Sequence, residues 1–182
     1  FSALQQLNQE NKLKLRVTKG IPLDFAEHAA AVGLRSGFGS DFLRIGSVKM
    51  FADGALGSQT AGMLEPLENL PGSTGIMLID AQTLFEHGKI AVESGLSLAI
   101  HAIGDKANRV VLDGLQLLRE YEQSHSISGL KHRIEHAQSG PNKPGDKKDQ
   151  DNIQLFPSLE QKYCNGITSN CCYRGKRDIN SA

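Results

Sequence analysis

The 182-residue chain contains no tryptophan, and aromatic residues make up only 5% of it. Because single-stranded nucleic acids are commonly held by stacking their bases on aromatic side chains, a base-stacking surface is not expected. The chain also has no net charge, since 20 Lys and Arg residues balance 20 Asp and Glu residues. No apolar run approaches the roughly 20 residues of a membrane-spanning helix. These absences predict a globular protein without nucleic-acid or membrane partners.

Cysteine is scarce and occurs only near the end of the chain. The three cysteines are Cys164, Cys171 and Cys172, and their spacing fits neither a closed disulfide framework nor the paired CxxC of a zinc site. A cysteine-free body without a recognisable secretory signal favours a cytoplasmic protein. The chain begins at Phe1 rather than at a methionine. We therefore expect that an upstream segment is missing, together with any targeting signal it carried.

The composition of the chain changes near residue 138. Up to that point apolar residues recur at strand and helix periods, whereas the segment that follows begins SGPNKPGDKKDQDN and shows no consistent period. We predict that residues 1–138 form the folded domain. Residues 139–182 are predicted to be an irregular tail, either disordered or produced by a reading-frame or splicing artefact.

Residues 1–138 alternate between predicted strands and helices. Strands are predicted at residues 13–17, 44–52, 96–102 and 132–138, and helices at residues 24–33, from residue 80, and at residues 107–121. The stretch 53–79 is rich in Gly, Pro and Ser and predicts a long functional loop. Strands separated by single helices imply a parallel sheet with right-handed crossovers. The predicted fold class is therefore α/β.

Three of the predicted strands carry, near their ends, side chains able to bind a metal ion. These side chains are Lys49, His101 and His136. In a (β/α)₈ barrel the active site lies at the carboxyl ends of the strands, and the 35 residues that separate the two histidines correspond to about one strand–helix–strand unit. Neutral imidazole is a common zinc ligand. The pattern predicts a metal site to which neighbouring strands contribute.

Strand alternation supports two of these three positions. Lys49 and His101 each follow apolar residues that can pack against helices, so both can face the barrel axis. In the last strand, a His136 that faces the axis directs Arg133 and Glu135 towards the helix layer. Burying those two charges costs free energy unless they pair. We interpret them as a structural pair.

Each position also has a purely structural interpretation. A single His on a strand is more often a core or surface residue than a ligand, and Lys49 alone is typical of a solvated side chain. Asp53 and Asp105 follow strand ends, where Asp commonly shapes a turn or caps a helix. No role is predicted for the remaining histidines, His28, His87, His125 and His132. Only the joint pattern favours a metal site.

The chain contains, in this order, the segments LRIGSVKMFADGALGSQTAGMLEP, LSLAIHAIGDKANRVVLDGL and HRIEHAQ. Together they resemble the amidohydrolase superfamily, and specifically amidohydrolase family 3, the group that includes N-substituted formamide deformylase. The resemblance runs from about residue 13 to residue 138. It implies a metal-dependent hydrolase with a (β/α)₈ TIM-barrel fold that cleaves non-peptide carbon–nitrogen bonds in small amides or formamides through metal-bound hydroxide.

The resemblance also implies a ligand set for one or two divalent ions, most commonly zinc. Lys49 matches the lysine on the fourth barrel strand, which is carboxylated in many members of the superfamily. His101 matches the histidine on the fifth strand and His136 the histidine on the sixth. A carbamate on Lys49 would be an anionic oxygen ligand, which nearby metal ions stabilise.

Part of the family pattern does not occur in this chain. The family carries a His-x-His on its first strand and an Asp on its eighth, so the catalytic residues are not identified here. We expect an incomplete barrel with about strands 3 to 6 and their helices, inactive on its own. Two alternatives stay open: another TIM-barrel metallohydrolase of the phosphotriesterase type, and a non-catalytic binding or regulatory module.

Overall fold

The computed structural model describes residues 1–68 and 70–138 of the chain. Its centre is a sheet of four parallel strands that lie side by side in chain order. The strands are β1 (Val17–Pro22), β2 (Leu43–Phe51), β3 (Leu98–Ala102) and β4 (Arg133–His136). The helices are α1 (Ser2–Gln9), α2 (Ala26–Ala31), which follows a short 3₁₀ helix at Leu23–Phe25, α3 (Ala81–Glu93) and α4 (Asp105–Ser124). The predicted parallel α/β sheet is confirmed, and the predicted tail at residues 139–182 lies outside the described residues.

The first strand lies further along the chain than the sequence predicted. The N–H of Leu13 donates to the carbonyl of Leu7 at 3.0 Å, which closes the end of α1. Leu15 is 74% exposed, and the strand begins at Val17, with Ile21 as its buried residue. The prediction of residues 13–17 was wrong because the alternating apolar residues there have no buried surface to pack against.

The hydrophobic core lies between the sheet and helices α3 and α4. Alternate residues of β2 and β3, with the residue that follows β2, are fully buried in it: Val48, Met50, Ala52, Leu98, Ile100 and Ala102. The helices contribute the stripes that their spacing predicts: Leu84, Ala91, Val92, Ala107, Val111, Leu115 and Leu118. Among residues 1–68 and 70–138, no helix has both the length and the apolar character of a membrane span.

A buried polar pair joins the end of α4 to the sheet. Glu122 and His132 are 1% and 2% exposed, and His132 Nε2 lies 2.9 Å from Glu122 Oε1. The N–H of Leu98 in β3 donates to His132 Nδ1 at 3.0 Å. Because Nδ1 accepts that hydrogen bond, Nε2 carries the ring hydrogen and donates it to the carboxylate. The other Glu122 oxygen lies 2.6 Å from Nη1 of Arg119. His132, for which no role was predicted, is therefore a structural residue.

Replacing Glu122 with Ala is expected to lower the free energy of unfolding by about 3 kcal/mol, because the His132 N–H stays buried without its acceptor and a cavity opens. The matched control is Glu120→Ala, an exposed position on the same helix, with an expected change within about 0.5 kcal/mol. Urea denaturation followed by circular dichroism measures both. Equal stability of the two variants would contradict the role of the pair.

Candidate functional site

The register of the sheet decides which side chains share its open face. Lys49 pairs with Ala99, Phe51 pairs with His101, and His101 pairs with Glu135. Paired residues of neighbouring parallel strands point to the same side of a sheet. Lys49, His101 and Glu135 therefore lie on the face turned away from the core. There the ammonium of Lys49 forms an ion pair with the carboxylate of Glu135.

Arg133 and Glu135 pair as predicted, but they do not point towards the helix layer. Ile134, between them, is the core residue of β4 and is 7% exposed. Arg133 donates from Nε and Nη2 to Glu135 Oε1, at 3.2 and 3.0 Å. It also donates from Nη1 to Ser47 Oγ on β2, at 3.2 Å. The prediction of their direction was wrong, since both charged side chains lie on the face of Lys49.

The backbone at His136 explains that error. His136 and Ala137 have φ values of 76° and 45°, in the left-handed region that non-glycine residues seldom adopt and that clusters at functional sites. His136 pairs with Ala102, a core residue, so regular alternation would direct it to the core. The left-handed turn ends that alternation. The exposed imidazole of His136 lies with its ring centroid 4.7 Å from that of His101.

His101 is held by the residues that follow β2. Its Nε2 lies 2.8 Å from the carbonyl oxygen of Gly54 and 3.5 Å from Oδ1 of Asp53. A carbonyl only accepts, so Nε2 carries the hydrogen and, in the neutral ring, Nδ1 has the free lone pair. Histidines that bind metals commonly donate their other N–H to a carbonyl or carboxylate in this way. The Phe51 ring centroid lies 5.3 Å from that of His101.

Asp53 connects the ends of two strands. Its side chain is fully buried, and it accepts hydrogen bonds from the N–H groups of Gly62 at 2.9 Å, Ile103 at 3.0 Å and Gly104 at 2.7 Å. Asp53 thus has a structural role, but it joins segments that are distant in the chain rather than shaping its own turn. Its proximity to His101 was missed, because the two residues are distant in sequence and meet only through the pairing of β2 with β3.

The pKa of Glu135 is lowered by its position among cations. The hydrogen bond from Lys49 is the main cause, and Arg133 lowers the pKa further, while partial burial of the carboxyl opposes both. Sequence reasoning gave Glu135 no part in the site. The missing information was the register between strands, which brings Glu135 within reach of Lys49.

The loop after β2 packs backbone to backbone against the start of α4. The carbonyl oxygen of Gly62 accepts from the N–H groups of Lys106 and Ala107, at 3.1 and 3.2 Å. A Cβ on Gly104 would lie 2.0 Å from that oxygen. Glycine at position 104 is thus required for the loop to approach this edge of the sheet.

The donors that converge at the site are two imidazoles, from His101 and His136. Lys49 lies on the same face, with its Nζ 4.9 Å from the centre of the Phe51 ring. Within residues 1–68 and 70–138, no group of three or more His, Cys, Asp or Glu side chains is placed to hold a metal ion. The described residues thus bring two imidazoles together beside a lysine.

Comparison with known proteins identifies the family. The model of the amidohydrolase family matches residues 1–162. The chain belongs to the amidohydrolase family. The matched range continues past residue 138, the predicted end of the folded domain.

Relatives of this amidohydrolase-family chain include a plant and a bacterial protein. It is 41% identical over 102 residues to Protein LONG AFTER FAR-RED 3 of Arabidopsis thaliana, covering 54% of this chain and 16% of that protein. It is 37% identical over 97 residues to the putative amidohydrolase YtcJ of Bacillus subtilis, covering 53% of this chain and 17% of that protein. The matched region thus spans about a sixth of the length of these curated relatives.

Solved structures resemble the described fold. An uncharacterized metal-dependent hydrolase from Pyrococcus furiosus matches with a TM-score of 0.63 and 32% sequence identity, covering 73% of this chain and 26% of that protein. A similar hydrolase from Pyrococcus horikoshii matches with a TM-score of 0.61 and 33% identity, covering 73% of this chain and 25% of that protein.

Replacing Gly104 with Ala is expected to displace the loop that carries Gly62 and to lower the free energy of unfolding by about 2 kcal/mol, because the new methyl group overlaps a backbone oxygen. Gly57→Ala is the matched control, since a Cβ there meets nothing within 4 Å. Chemical denaturation compares the two. Destabilisation by Gly57→Ala alone would contradict this packing.

Replacing Lys49 with Met is expected to raise the pKa of Glu135, since the main interaction that lowers it is lost. In the unmodified chain a lowered pKa stabilises the fold above the ordinary carboxyl pKa, and this contribution is lost as the pH falls through the folded-state value. Carboxyl ¹³C chemical shifts followed against pH give the titration midpoint of Glu135. Lys89→Met, on α3, is the control. A midpoint that Lys49→Met leaves unchanged would refute the coupling.

Proposed function

We propose that this chain carries part of the active site of a metal-dependent hydrolase, in which Lys49, His101 and His136 are metal-ligating positions. The observation that carries the proposal is the 4.7 Å approach of the two imidazole rings at the carboxyl ends of adjacent parallel strands. Membership of the amidohydrolase family supports it. The solved relatives, described as metal-dependent hydrolases, support it as well.

The donor set fits a divalent cation, and zinc is the ion we propose. Imidazole nitrogens suit Zn²⁺, and the Nε2–H of His101 is already engaged by a carbonyl, which leaves Nδ1 as the nitrogen able to ligate. A bound divalent cation would lower the pKa of water and polarise a scissile carbonyl. His101 and His136 would hold the cation, while Gly54 fixes the tautomer of the first.

Lys49 is the third proposed ligand position, and its carboxylation is part of the proposal. In the described structure its amine is paired with Glu135. A carbamate would place a second anion beside that carboxylate, which is unfavourable unless nearby cations compensate. Arg133, which donates to Glu135 at 3.0 Å, is one such cation, and bound metal would be another.

The proposed substrate class is small amides or formamides, cleaved at a non-peptide carbon–nitrogen bond. We also propose that the four parallel strands belong to a (β/α)₈ barrel whose interior is the face of Lys49 and His101. Active sites of such barrels lie at the carboxyl ends of the strands. Two imidazoles and a lysine do not complete a catalytic site, so these residues alone are proposed to be inactive.

Zn²⁺ binding tests the ligand positions. With Cys164, Cys171 and Cys172 blocked by alkylation, His101→Ala and His136→Ala are each expected to weaken Zn²⁺ binding by about tenfold or more, because even residues that only support a ligand contribute that much. His28→Ala, an exposed position on α2, is the control. Competition with a chromophoric chelator measures the affinities.

Two outcomes would contradict the proposal. One is a Zn²⁺ affinity that neither His101→Ala nor His136→Ala lowers relative to the unmodified chain. The other is an equal loss of affinity in the His28→Ala control. Activity of the zinc-loaded full-length protein then separates the substrate classes. Hydrolysis of an N-substituted formamide is expected, whereas hydrolysis of a phosphotriester alone would favour the phosphotriesterase-type alternative.

A further inference from the structure

The environment of the Asp53 carboxylate consists of hydrogen-bond donors. Three backbone N–H groups donate to it, from Gly62, Ile103 and Gly104, and Nε2 of His101 lies 3.5 Å from its Oδ1. The side chain is fully buried. A carboxylate has two oxygens with about four lone-pair sites and no donor, so it can accept from all of these groups at once.

These contacts join the segment that follows β2 to the segment that follows His101. Gly54, whose carbonyl accepts the His101 Nε2–H, directly follows Asp53 in the chain. Ile103 and Gly104, which donate to Asp53, follow His101 by two and three residues. The carboxylate thereby joins the segment that holds the acceptor of the ring hydrogen to the backbone that follows the ring.

We propose that Asp53 is a positioning residue that holds the His101 ring in the Nε2–H tautomer and leaves Nδ1 to bind metal. The proposal rests on the metal site proposed above. Two features favour that tautomer: the Gly54 carbonyl accepts from Nε2, and the negative charge of Asp53 lies on the same side of the ring. A tautomer fixed before binding removes the need to rearrange the ring when a cation arrives.

Asp53→Asn is the decisive variant. The amide has nearly the same shape but one oxygen and two N–H donors, so it cannot accept from all the groups that face Asp53, and it carries no charge. The matched control is Asp105→Asn. Asp105 is also buried beside this loop, but its carboxylate accepts from the N–H groups of Leu64 and Lys106.

Long-range ¹H–¹⁵N correlation spectra of the histidine rings report the tautomer directly. The His101 signals are assigned by their loss in His101→Gln, at pH 8.5, well above the ordinary histidine pKa of about 6.5. The unmodified chain is expected to show the Nε2–H form. In Asp53→Asn the share of the Nδ1–H form should rise by about tenfold, whereas Asp105→Asn should match the unmodified chain.

Two results would overturn the proposal: a His101 spectrum unchanged in Asp53→Asn, or a change of equal size in Asp105→Asn, which would reflect general loosening of the loop. If Asp53→Asn does not fold, the unmodified chain decides. Two observations together would support the proposal. One is scalar coupling through hydrogen bonds from the amides of Gly62 and Gly104 to the Asp53 carboxyl carbon. The other is a single tautomer of His101. A mixture of His101 tautomers in the unmodified chain would reject the proposal.

Zn²⁺ titration of the same variants separates this inference from the proposed function. Asp53→Asn is expected to weaken Zn²⁺ binding by about 10- to 100-fold relative to Asp105→Asn. Absence of Zn²⁺ binding in the unmodified chain would contradict the proposed metal site, while the tautomer comparison would still decide the role of Asp53.

Discussion

The in-register pairing of three parallel strands is the constraint on which the rest of the structure depends. It places Lys49, His101 and Glu135 on one face and sets the apolar residues between them against α3 and α4. A shift of one residue would move every side chain to the opposite face. The same register thus positions the site on one face of the sheet and the core on the other. The burial of residues such as Ile100 stabilises both.

Two buried carboxylates, those of Asp53 and Glu122, bind segments that lie outside the hydrogen-bonded strands. Asp53 ties the end of β2 to the turn after β3 through backbone N–H groups, and Glu122 ties the end of α4 to His132. Burying a carboxylate is costly unless hydrogen bonds or ion pairs compensate its charge. Each therefore selects one arrangement of its surroundings, and in each case the tautomer of a histidine is fixed as a consequence.

The open face of the sheet combines cations, an anion and imidazoles in a small area. Glu135 is shared between Lys49 and Arg133, so one carboxylate faces two cations and these three side chains carry a net charge of +1. The paired imidazoles lie at the ends of the strands. An added cation or a change in charge at Lys49 would alter the same set of interactions, so the electrostatics of Glu135 and the proposed ligand positions are linked.

The sequence by itself determined the features that depend on neighbouring residues. The alternation around Lys49 and the helical stripe of α4 follow from local period, and both are seen. Three features were decided only by tertiary structure: the start of β1 at Val17, the direction of Glu135, and the ring contact between His101 and His136. The left-handed backbone at His136 breaks the two-residue period on which the sequence argument relied. Lys49 lies 86 residues from Glu135 in the chain, and Ile103 lies 50 residues from Asp53, so only the pairing of strands brings these partners together.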